Sequence, residues 1–362
     1  MYGVSLAQDL PEPGVVANDS DIKQRIKLLS EHCQSYKGAD IKHGLFQLAT
    51  TGLLFLATLA AMTVAFYNQA WWLCPLLVVL AAGFLVRLFI IQHDCGHGSF
   101  FSSRRANNIT GRVISLFTFT PYDYWKRAHN MHHAGSGNLN RRGIGSIDTL
   151  TVREYQALPP KKKFAYRLYR NPFLLLLVFT PYYVLLLQRA LPSQSLPYLD
   201  DYHTMKPRQA LRSVVSLNIA LAVFYGAAAL LLGWKPVVLL YLPVVILTSW
   251  IGGWLFYIQH QFEDGYWERE GTWSFGEAAV LGSSYYALPR VLQWFTGNIG
   301  LHHIHHLCSA IPNYRLQTCL DSSPELQTMN RMTLTDSLKC VWWSLWDEEQ
   351  SKMIGFRDLK AA

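Results

Sequence analysis

The sequence predicts an all-α integral membrane protein, with four transmembrane helices in two hairpins and a cytosolic helical cap that holds a two-metal site. Three observations predict this class. Hydrophobic residues make up 51% of the 362 residues and charged residues only 15%, whereas an average soluble domain has about 25% charged residues. Four apolar stretches reach the roughly 20 residues that a bilayer crossing needs. Ten of the 13 histidines fall into four short clusters, and nine of these ten are candidate metal ligands.

The four apolar stretches divide the chain into alternating cytosolic and membrane segments. The predicted spans are residues 45–67, 71–92, 213–232 and 237–258. Turns at 68–70 and 233–236 join them into two hairpins. Arg87 lies about one turn from the end of the second span, where its long side chain can reach the interface. The resulting segments are an N-terminal cytosolic segment 1–44, a transmembrane hairpin 45–92, a cytosolic region 93–212, a second transmembrane hairpin 213–258 and a cytosolic C-terminal region 259–362.

Basic residues set the expected orientation. The loop 94–172 contains 13 lysines and arginines, whereas Lys235 is the only one in the two short loops on the opposite side. Because cytoplasmic loops are enriched in lysine and arginine, both termini and all histidine clusters are expected in the cytoplasm. The net charge of +8 lies beside long apolar runs, which favours an anionic membrane leaflet as partner and not nucleic acid. The first 21 residues have no apolar core of a signal peptide.

Two further apolar segments are not predicted to cross the membrane. The histidine clusters must meet on one side, so an even number of crossings separates residue 133 from residue 260. The spans 213–232 and 237–258 already supply two. Segment 173–187 is therefore predicted to be interfacial or re-entrant, and 278–295 is predicted not to span. A shallow segment is also expected at 111–120.

The histidine spacing favours a two-metal site. The clusters read HDCGH at 93–97, HNMHH at 129–133, a lone His260, and HHIHH at 302–306. Residues three and four apart share a helix face, while adjacent residues diverge by about 100°. An HxxHH pattern therefore offers ligands to two neighbouring ions, and neutral imidazole suits zinc, copper, iron and nickel. The candidate ligands are His93, His97, His129, His132, His133, His260, His302, His305 and His306.

The remaining four histidines are not expected to bind metal. His303 lies off the face that the other members of its cluster share. Isolated histidines are usually ordinary surface or core residues, so His32, His43 and His203 receive no role.

Three motifs resemble the histidine boxes of membrane fatty-acid desaturases: HDCGHGSF at 93–100, HNMHH at 129–133 and GLHHIHHL at 300–307. The resemblance covers about residues 45–315. It implies that the nine candidate histidines bind two non-heme irons, with His260 as the ligand outside the boxes. It also implies O₂ as co-substrate and an external electron donor of the ferredoxin or cytochrome b5 type.

The first box further resembles that of Δ12/ω6-type enzymes. The implied reaction is O₂-dependent insertion of a cis double bond into a lipid-linked acyl chain. Stearoyl-type enzymes have an asparagine four residues before the extra histidine, where this chain has Phe256. Asn298 is a candidate for the water-bridged contact that this asparagine makes.

Carboxylates close to the ligands in sequence are candidates for orienting the imidazole N–H groups. Asp94, Glu263 and Asp264 neighbour candidate ligands directly. Asp148, in the sequence GSIDT, is a more distant candidate.

Three alternatives remain open from the sequence. A lipid or carotenoid hydroxylase or ketolase of the same di-iron superfamily would share the ligands and differ in its product. A membrane zinc hydrolase could use the spacing of His93 and His97, but Asp94 stands where the general-base glutamate of HExxH would be. A non-catalytic metal or heme transporter would need polar groups in spans that are nearly free of them.

Overall fold

The computed structural model describes residues 19–143, 145–190 and 206–359. These residues form the helices α1 (Asp19–Gln34), α2 (Ile41–Tyr67), α3 (Cys74–His97), α4 (Arg104–Thr118), α5 (Tyr122–Gly135), α6 (Val152–Ala157), α7 (Pro160–Tyr169), α8 (Thr180–Leu185), α9 (Pro207–Leu232), α10 (Trp234–His260), α11 (Phe275–Leu281), α12 (Arg290–Phe295), α13 (His302–Leu307), α14 (Asn313–Asp321) and α15 (Leu334–Ser337). The short strands are β1 (Leu150–Thr151), β2 (Tyr285–Tyr286), β3 (Arg331–Met332), β4 (Leu345–Asp347) and β5 (Lys352–Ile354).

Four helices, α2, α3, α9 and α10, have the length and composition to cross a membrane. Large apolar side chains cover their outer surfaces; Leu230 and Leu231, for example, are 90% and 84% exposed. An apolar patch of this extent is unfavourable in water, and hydrocarbon removes the penalty. The predicted integral membrane fold with four transmembrane helices in two hairpins is confirmed.

The helices extend beyond the predicted spans. The second and fourth spans were expected to end at 92 and 258, but α3 continues to His97 and α10 to His260. Thus His93, His97 and His260 lie on the last turns of membrane helices. Helix α3 ends at Gly98, which adopts a left-handed φ of 74° and donates its N–H to the carbonyls of Asp94 and Cys95. Hydropathy could not predict this extension, because these turns face other helices and are polar.

The hairpin turns are tight. Gln69, with a φ of 59°, lies in the first turn. In the second, a single residue, Gly233, separates α9 from α10. The turn was expected at 233–236, but Pro236 lies in the first helical turn, where its missing N–H is not needed.

Polar contacts hold α4 and α5 against the end of α3. Gln92 on α3 donates through Nε2 to Gly111 O and Ser115 Oγ, and Thr118 Oγ1 donates to its Oε1. Gly111 permits the close approach of α5, because a Cβ there would lie 2.2 Å from the Tyr122 ring. The segment 111–120, predicted to be shallow, therefore belongs mainly to α4.

The segment predicted to be interfacial or re-entrant is bent. Residues Leu174–Phe179 form a π-helical turn that continues into α8 and a 3₁₀ turn at Leu187–Arg189. This unit makes an angle of 68° with α7, a shape typical of a re-entrant loop or a broken span. Gly253 of α10 packs against Thr180, where a Cβ would be 2.5 Å from Cγ2. Residues 278–295 contain only parts of α11, strand β2 and α12, each too short to span.

Small sheets occur within the otherwise helical cap. Strand β4 pairs in parallel with β1 and antiparallel with β5, and β2 pairs in parallel with β3. Strands of two or three residues carry too little periodic pattern to be predicted from sequence. They connect the C-terminal residues to loops beside the histidine clusters.

Candidate metal centre

The nine candidate ligands converge from four helices. The last turns of α3 and α10 meet α5 and the short helix α13, and all these imidazoles except the half-buried His97 are buried. The ring nitrogens of five histidines lie within 4.8 Å of one another and form the first ligand group: His93, His97, His129, His133 and His305. A second set of three meets the same limit: His132, His260 and His306.

His302 completes the second ligand group. Its Nε2 is 3.1 Å from His260 Nε2, and its ring lies 4.5 Å from the ring of His306. The second ligand group is therefore His132, His260, His302 and His306. The two groups touch where the rings of His133 and His306 stack, with centroids 4.0 Å apart.

The adjacent histidines of each HxxHH motif separate between the groups. His133 belongs to the first group and His132 to the second. In α13, His305 belongs to the first and His306 to the second. This is the arrangement that a 100° divergence between helical neighbours predicts.

The nitrogen separations fit metal coordination. With a metal–nitrogen bond of about 2.1 Å, two neighbouring ligand nitrogens lie about 3.0 to 3.4 Å apart, depending on whether the angle is octahedral or tetrahedral. Four pairs of Nε2 atoms lie 3.1–3.2 Å apart: His132–His260, His129–His133, His260–His302 and His133–His305. The Nε2 atoms of His97 and His306 have no hydrogen-bond partner among the described residues. The residues therefore fit two metal ions.

Hydrogen bonds fix two of the tautomers. His260 Nδ1 lies 3.0 Å from Gly282 O. Because a carbonyl only accepts, Nδ1 carries the proton and the lone pair of Nε2 points at the second group. His93 Nδ1 lies 3.2 Å from Asp94 Oδ1, which leaves its Nε2 for the first group.

The electrostatic environment keeps the imidazoles neutral. Burial lowers the pKa of His129, His132, His133, His302, His305 and His306 well below the ordinary histidine value. A positive charge on any neighbouring ring lowers these pKa values further. Since a metal binds only the unprotonated nitrogen, these six imidazoles are already in the form that binds a metal at neutral pH.

Comparison with known proteins identifies the family. The model of the family described as fatty acid desaturase matches residues 69–333. A fatty acid desaturase of Bacillus subtilis is 39% identical over 347 residues, covering 94% of each chain. The chain belongs to the fatty acid desaturase family. This family membership makes it an oxidoreductase.

More distant relatives have more specific names. A Synechocystis protein named sn-1 acyl-lipid omega-3 desaturase (ferredoxin) is 25% identical, covering 72% of this chain and 69% of its own. An Arabidopsis thaliana protein named acyl-lipid omega-3 desaturase (cytochrome b5), endoplasmic reticulum, is 27% identical, covering 72% and 66%. The family match disfavours the zinc hydrolase and the transporter.

In this desaturase, Asp94 connects a ligand to the surrounding protein. Its Oδ1 contacts His93, while Oδ2 accepts from Asn313 N at 2.6 Å and Asn313 Nδ2 at 2.8 Å. Gln47 Nε2 in turn donates to Asn313 Oδ1. The candidate Asn298 donates to Asn313 O at 2.9 Å and so reaches the same residue. Thus α2, α3 and α14 together hold the His93 ring.

The other candidate carboxylates lie elsewhere. Glu263 and Asp264 are exposed, and among the described residues no hydrogen bond joins either carboxylate to an imidazole. Asp148 is buried, but its carboxylate oxygens have no hydrogen-bond partner in the described part of the chain. The positions of these three acidic residues in sequence did not indicate where their side chains point.

The histidines without an expected metal role lie outside both groups. His303 is buried and directs Nε2 to Leu326 O at 3.0 Å, away from the cluster. His32 contacts Cys319 O, and His43 pairs with Asp40. His203 lies outside the described residues.

Sequence reasoning missed three residues around the centre. Trp125 stacks on His129 at 4.8 Å, and Gly96 makes room for its ring. The spacing of four residues between Trp125 and His129 was a usable signal. Gln47 was also visible as a polar residue within an apolar stretch. Nothing local indicated Asn313, which is 219 residues from Asp94.

Proposed function

We propose that this chain is an acyl-lipid desaturase that uses O₂ and two non-heme irons to insert a cis double bond into a lipid-linked acyl chain. The observation that carries the proposal is the division of nine convergent imidazoles into groups of five and four, in a membrane protein of the desaturase family. The two-electron removal of hydrogen from an unactivated chain requires a redox metal, and paired imidazole sites suit a pair of irons.

The protein residues would act before and around the metal chemistry. The nine histidines would hold the irons, which supply O₂ activation and hydrogen abstraction when bound. Burial keeps the imidazoles neutral, and Asp94 fixes the orientation of His93. Trp125 packs against the ring of His129, and Phe256 packs against the ring of His132. The net reaction consumes O₂, two electrons, two protons and two hydrogens from adjacent carbons, and it forms one double bond and two waters.

The finer specificity proposed is Δ12/ω6. The HDCGHGSF sequence supports it by its resemblance to methyl-end enzymes. The omega-3 names of two relatives also refer to the methyl end of the chain. If the product instead carried an omega-3 double bond, the proposed reaction would be the same but would occur at a different pair of carbons.

The proposed orientation places both termini and the metal centre in the cytoplasm. The loop 94–172 with its 13 basic residues supports this orientation. A ferredoxin or a cytochrome b5-type protein is the proposed electron donor, because relatives named for each are similar to this chain. A reporter fused after Ala362 is expected to be cytoplasmic, and a signal from the opposite side would contradict the four-span arrangement.

Expression in a host without polyunsaturated lipids tests the reaction. The full chain is co-expressed with each donor type, and membrane lipids are analysed for double-bond position. A new cis double bond in acyl lipid is expected, and His306→Ala serves as the inactive control. A hydroxylated or keto product would assign the alternative within the same superfamily, and lack of conversion with every donor would reject the desaturase proposal.

A further inference from the structure

A cleft reaches the second ligand group from the protein surface. His132 and His260 line its inner end, and Arg141 lines its outer part, where it pairs with Glu270. Polar groups, among them Ser146 and Gln261, line the wall between them. Ile147, Phe256 and Trp267 also line the cleft, so its wall is mixed. The polar groups along it offer hydrogen bonds to water.

A buried carboxylate lies behind this wall. Asp148 is 1% exposed, and neither of its carboxylate oxygens has a hydrogen-bond partner among the described residues. Its chain neighbours Ile147 and Ser146 line the cleft. A buried carboxylate without a partner is costly, so this side chain needs a function or a solvating group.

Two arginines flank Asp148, but among the described residues neither donates to its carboxylate; Arg170 Nη1 reaches only the backbone carbonyl of Asp148, at 3.4 Å. Arg142 donates to Thr149 O at 2.9 Å and pairs with Glu154. Arg170 donates to Gln261 Oε1 at 2.7 Å and to Trp343 O at 2.8 Å. The Nε atoms of both arginines have no partner in the described structure. Both carboxylate oxygens of Asp148 and one guanidinium nitrogen of each arginine are therefore left without a hydrogen-bond partner in the described part of the chain.

The opposing effects of burial and of nearby positive charge allow the Asp148 carboxyl group to gain and lose a proton. Burial raises the pKa of Asp148 to about 6, although the positive charges of Arg142 and Arg170 act in the opposite direction. Tyr166 and Tyr169 also face this residue, through its backbone. Burial raises the pKa of both phenols, so they stay protonated at neutral pH.

The other groups near the metal centre are poor proton sources. The inward ring nitrogens of the histidines serve as metal ligands under the proposed function. Asp94 accepts two hydrogen bonds from Asn313 and contacts His93, so both of its carboxylate oxygens are already engaged. Among the buried carboxyl groups beside the cleft, Asp148 alone in the described chain has free oxygens.

We propose that the cleft carries protons to the second ligand group and water away from it, with Asp148 as the residue that holds and passes on the protons. This inference rests on the proposed function. Each turnover forms one double bond from two adjacent CH₂ groups, reduces O₂ with two electrons from the external donor, takes up two protons and releases two waters. Asp148 touches no ligand imidazole and acts through the cleft.

Replacing Asp148 by asparagine removes the carboxyl group that carries the proton but keeps the size and shape of the side chain. Assayed in membranes with a saturating donor, Asp148→Asn is expected to lower turnover by about 100-fold, the lower end of what a positioned proton donor contributes. Iron content should be unchanged. Small weak acids such as acetate should restore turnover in this variant and not in the wild type, and Asp148→Glu should retain most of it.

The matched control is Asp123→Asn, which removes an exposed carboxylate paired with Arg112. Its turnover should equal that of the wild type. Turnover of Asp148→Asn within twofold of the wild type, or a loss that no small acid restores, would overturn the inference. If Asp148→Asn does not accumulate in the membrane, Ser146→Phe tests the inference instead, because the larger side chain narrows the cleft. Unchanged turnover in this variant would overturn the proposed route. Slowed turnover with a normal iron content would support it. Whether the wild type converts acyl lipid tests the proposed function, so a failure of that proposal can be distinguished from a failure of this inference.

Discussion

The two ligand groups have similar imidazoles and opposite surroundings. Neighbouring side chains brace the first group: Asp94 and Asn313 fix His93, and Trp125 stacks on His129. The second group lies at the inner end of a cleft that reaches the surface. Under the two proposals made above, the contacts of the first group would serve metal retention and the cleft of the second group would serve exchange with solvent.

This difference separates two kinds of defect. A change behind the first group should loosen a ligand and reduce metal retention. A change along the cleft should leave the metal in place and slow the delivery of protons. Measuring iron and turnover in parallel therefore distinguishes the two halves of the centre.

The largest effect is expected from removing one ligand of either group. His133→Ala and His132→Ala are each expected to abolish conversion and to lower the iron content from about two atoms to about one per chain, because a two-metal site needs both ions. Conversion in whole-cell lipid, normalised to protein in the membrane, and iron analysis are the measurements. His260→Ala and His306→Ala should behave alike.

The control for these variants is His43→Ala, since His43 is exposed, pairs with Asp40 and stacks on Tyr314, outside both ligand groups. This variant should retain the lipid conversion and the iron content of the wild type. Retained conversion in His132→Ala or His306→Ala would contradict the assignment of two irons to these groups.

A smaller effect is expected at Asp94, which sharpens the contrast between the groups. Asp94→Asn weakens the contact with His93 and the two hydrogen bonds from Asn313. Such supporting contacts typically change metal affinity or activity by about 10- to 100-fold. Iron should be lost from one site at lower chelator concentrations than in the wild type, whereas Asp123→Asn should match the wild type. Equal iron retention with slowed turnover would instead place Asp94 with the cleft residues.

The sequence predicted the parts that depend on periodicity. Span length and charge depletion indicated the four membrane helices, and the helical angle between His132 and His133 predicted that they would face different groups. Both inferences need only local geometry, which a helix fixes within one or two turns. For the same reason, the spacing could exclude His303 from the shared face.

The sequence could not predict contacts that the tertiary fold creates. Asn313 meets Asp94 across 219 residues, and the isolation of Asp148 depends on where Arg142 and Arg170 point. Glu263 and Asp264 follow His260 closely, yet both are exposed because α10 ends at His260 and the chain leaves the helix. Adjacency in sequence predicts a shared environment only while a regular element continues.

The smallest effect on the metal centre is expected at His303, which is equally buried but directed away from both groups. Its Nε2 donates to Leu326 O, and burial lowers the pKa of His303 to about 4. His303→Gln should keep both irons and substantial conversion. Its effect should be on stability and should depend on pH.

The sign of this pH dependence follows from the lowered pKa. An unfolded histidine has a pKa of about 6.5, so below that pH the unfolded chain binds a proton that folded His303 does not. Folding stability is then lost as the pH falls, by about 2 kcal/mol between pH 7 and pH 5 for a folded pKa of about 4. His303→Gln lacks this loss, so its melting temperature relative to the wild type should rise as the pH is lowered. A difference in melting temperature between the two proteins that stays constant from pH 7 to pH 5, or loss of iron from His303→Gln, would show that His303 is coupled to the metal centre.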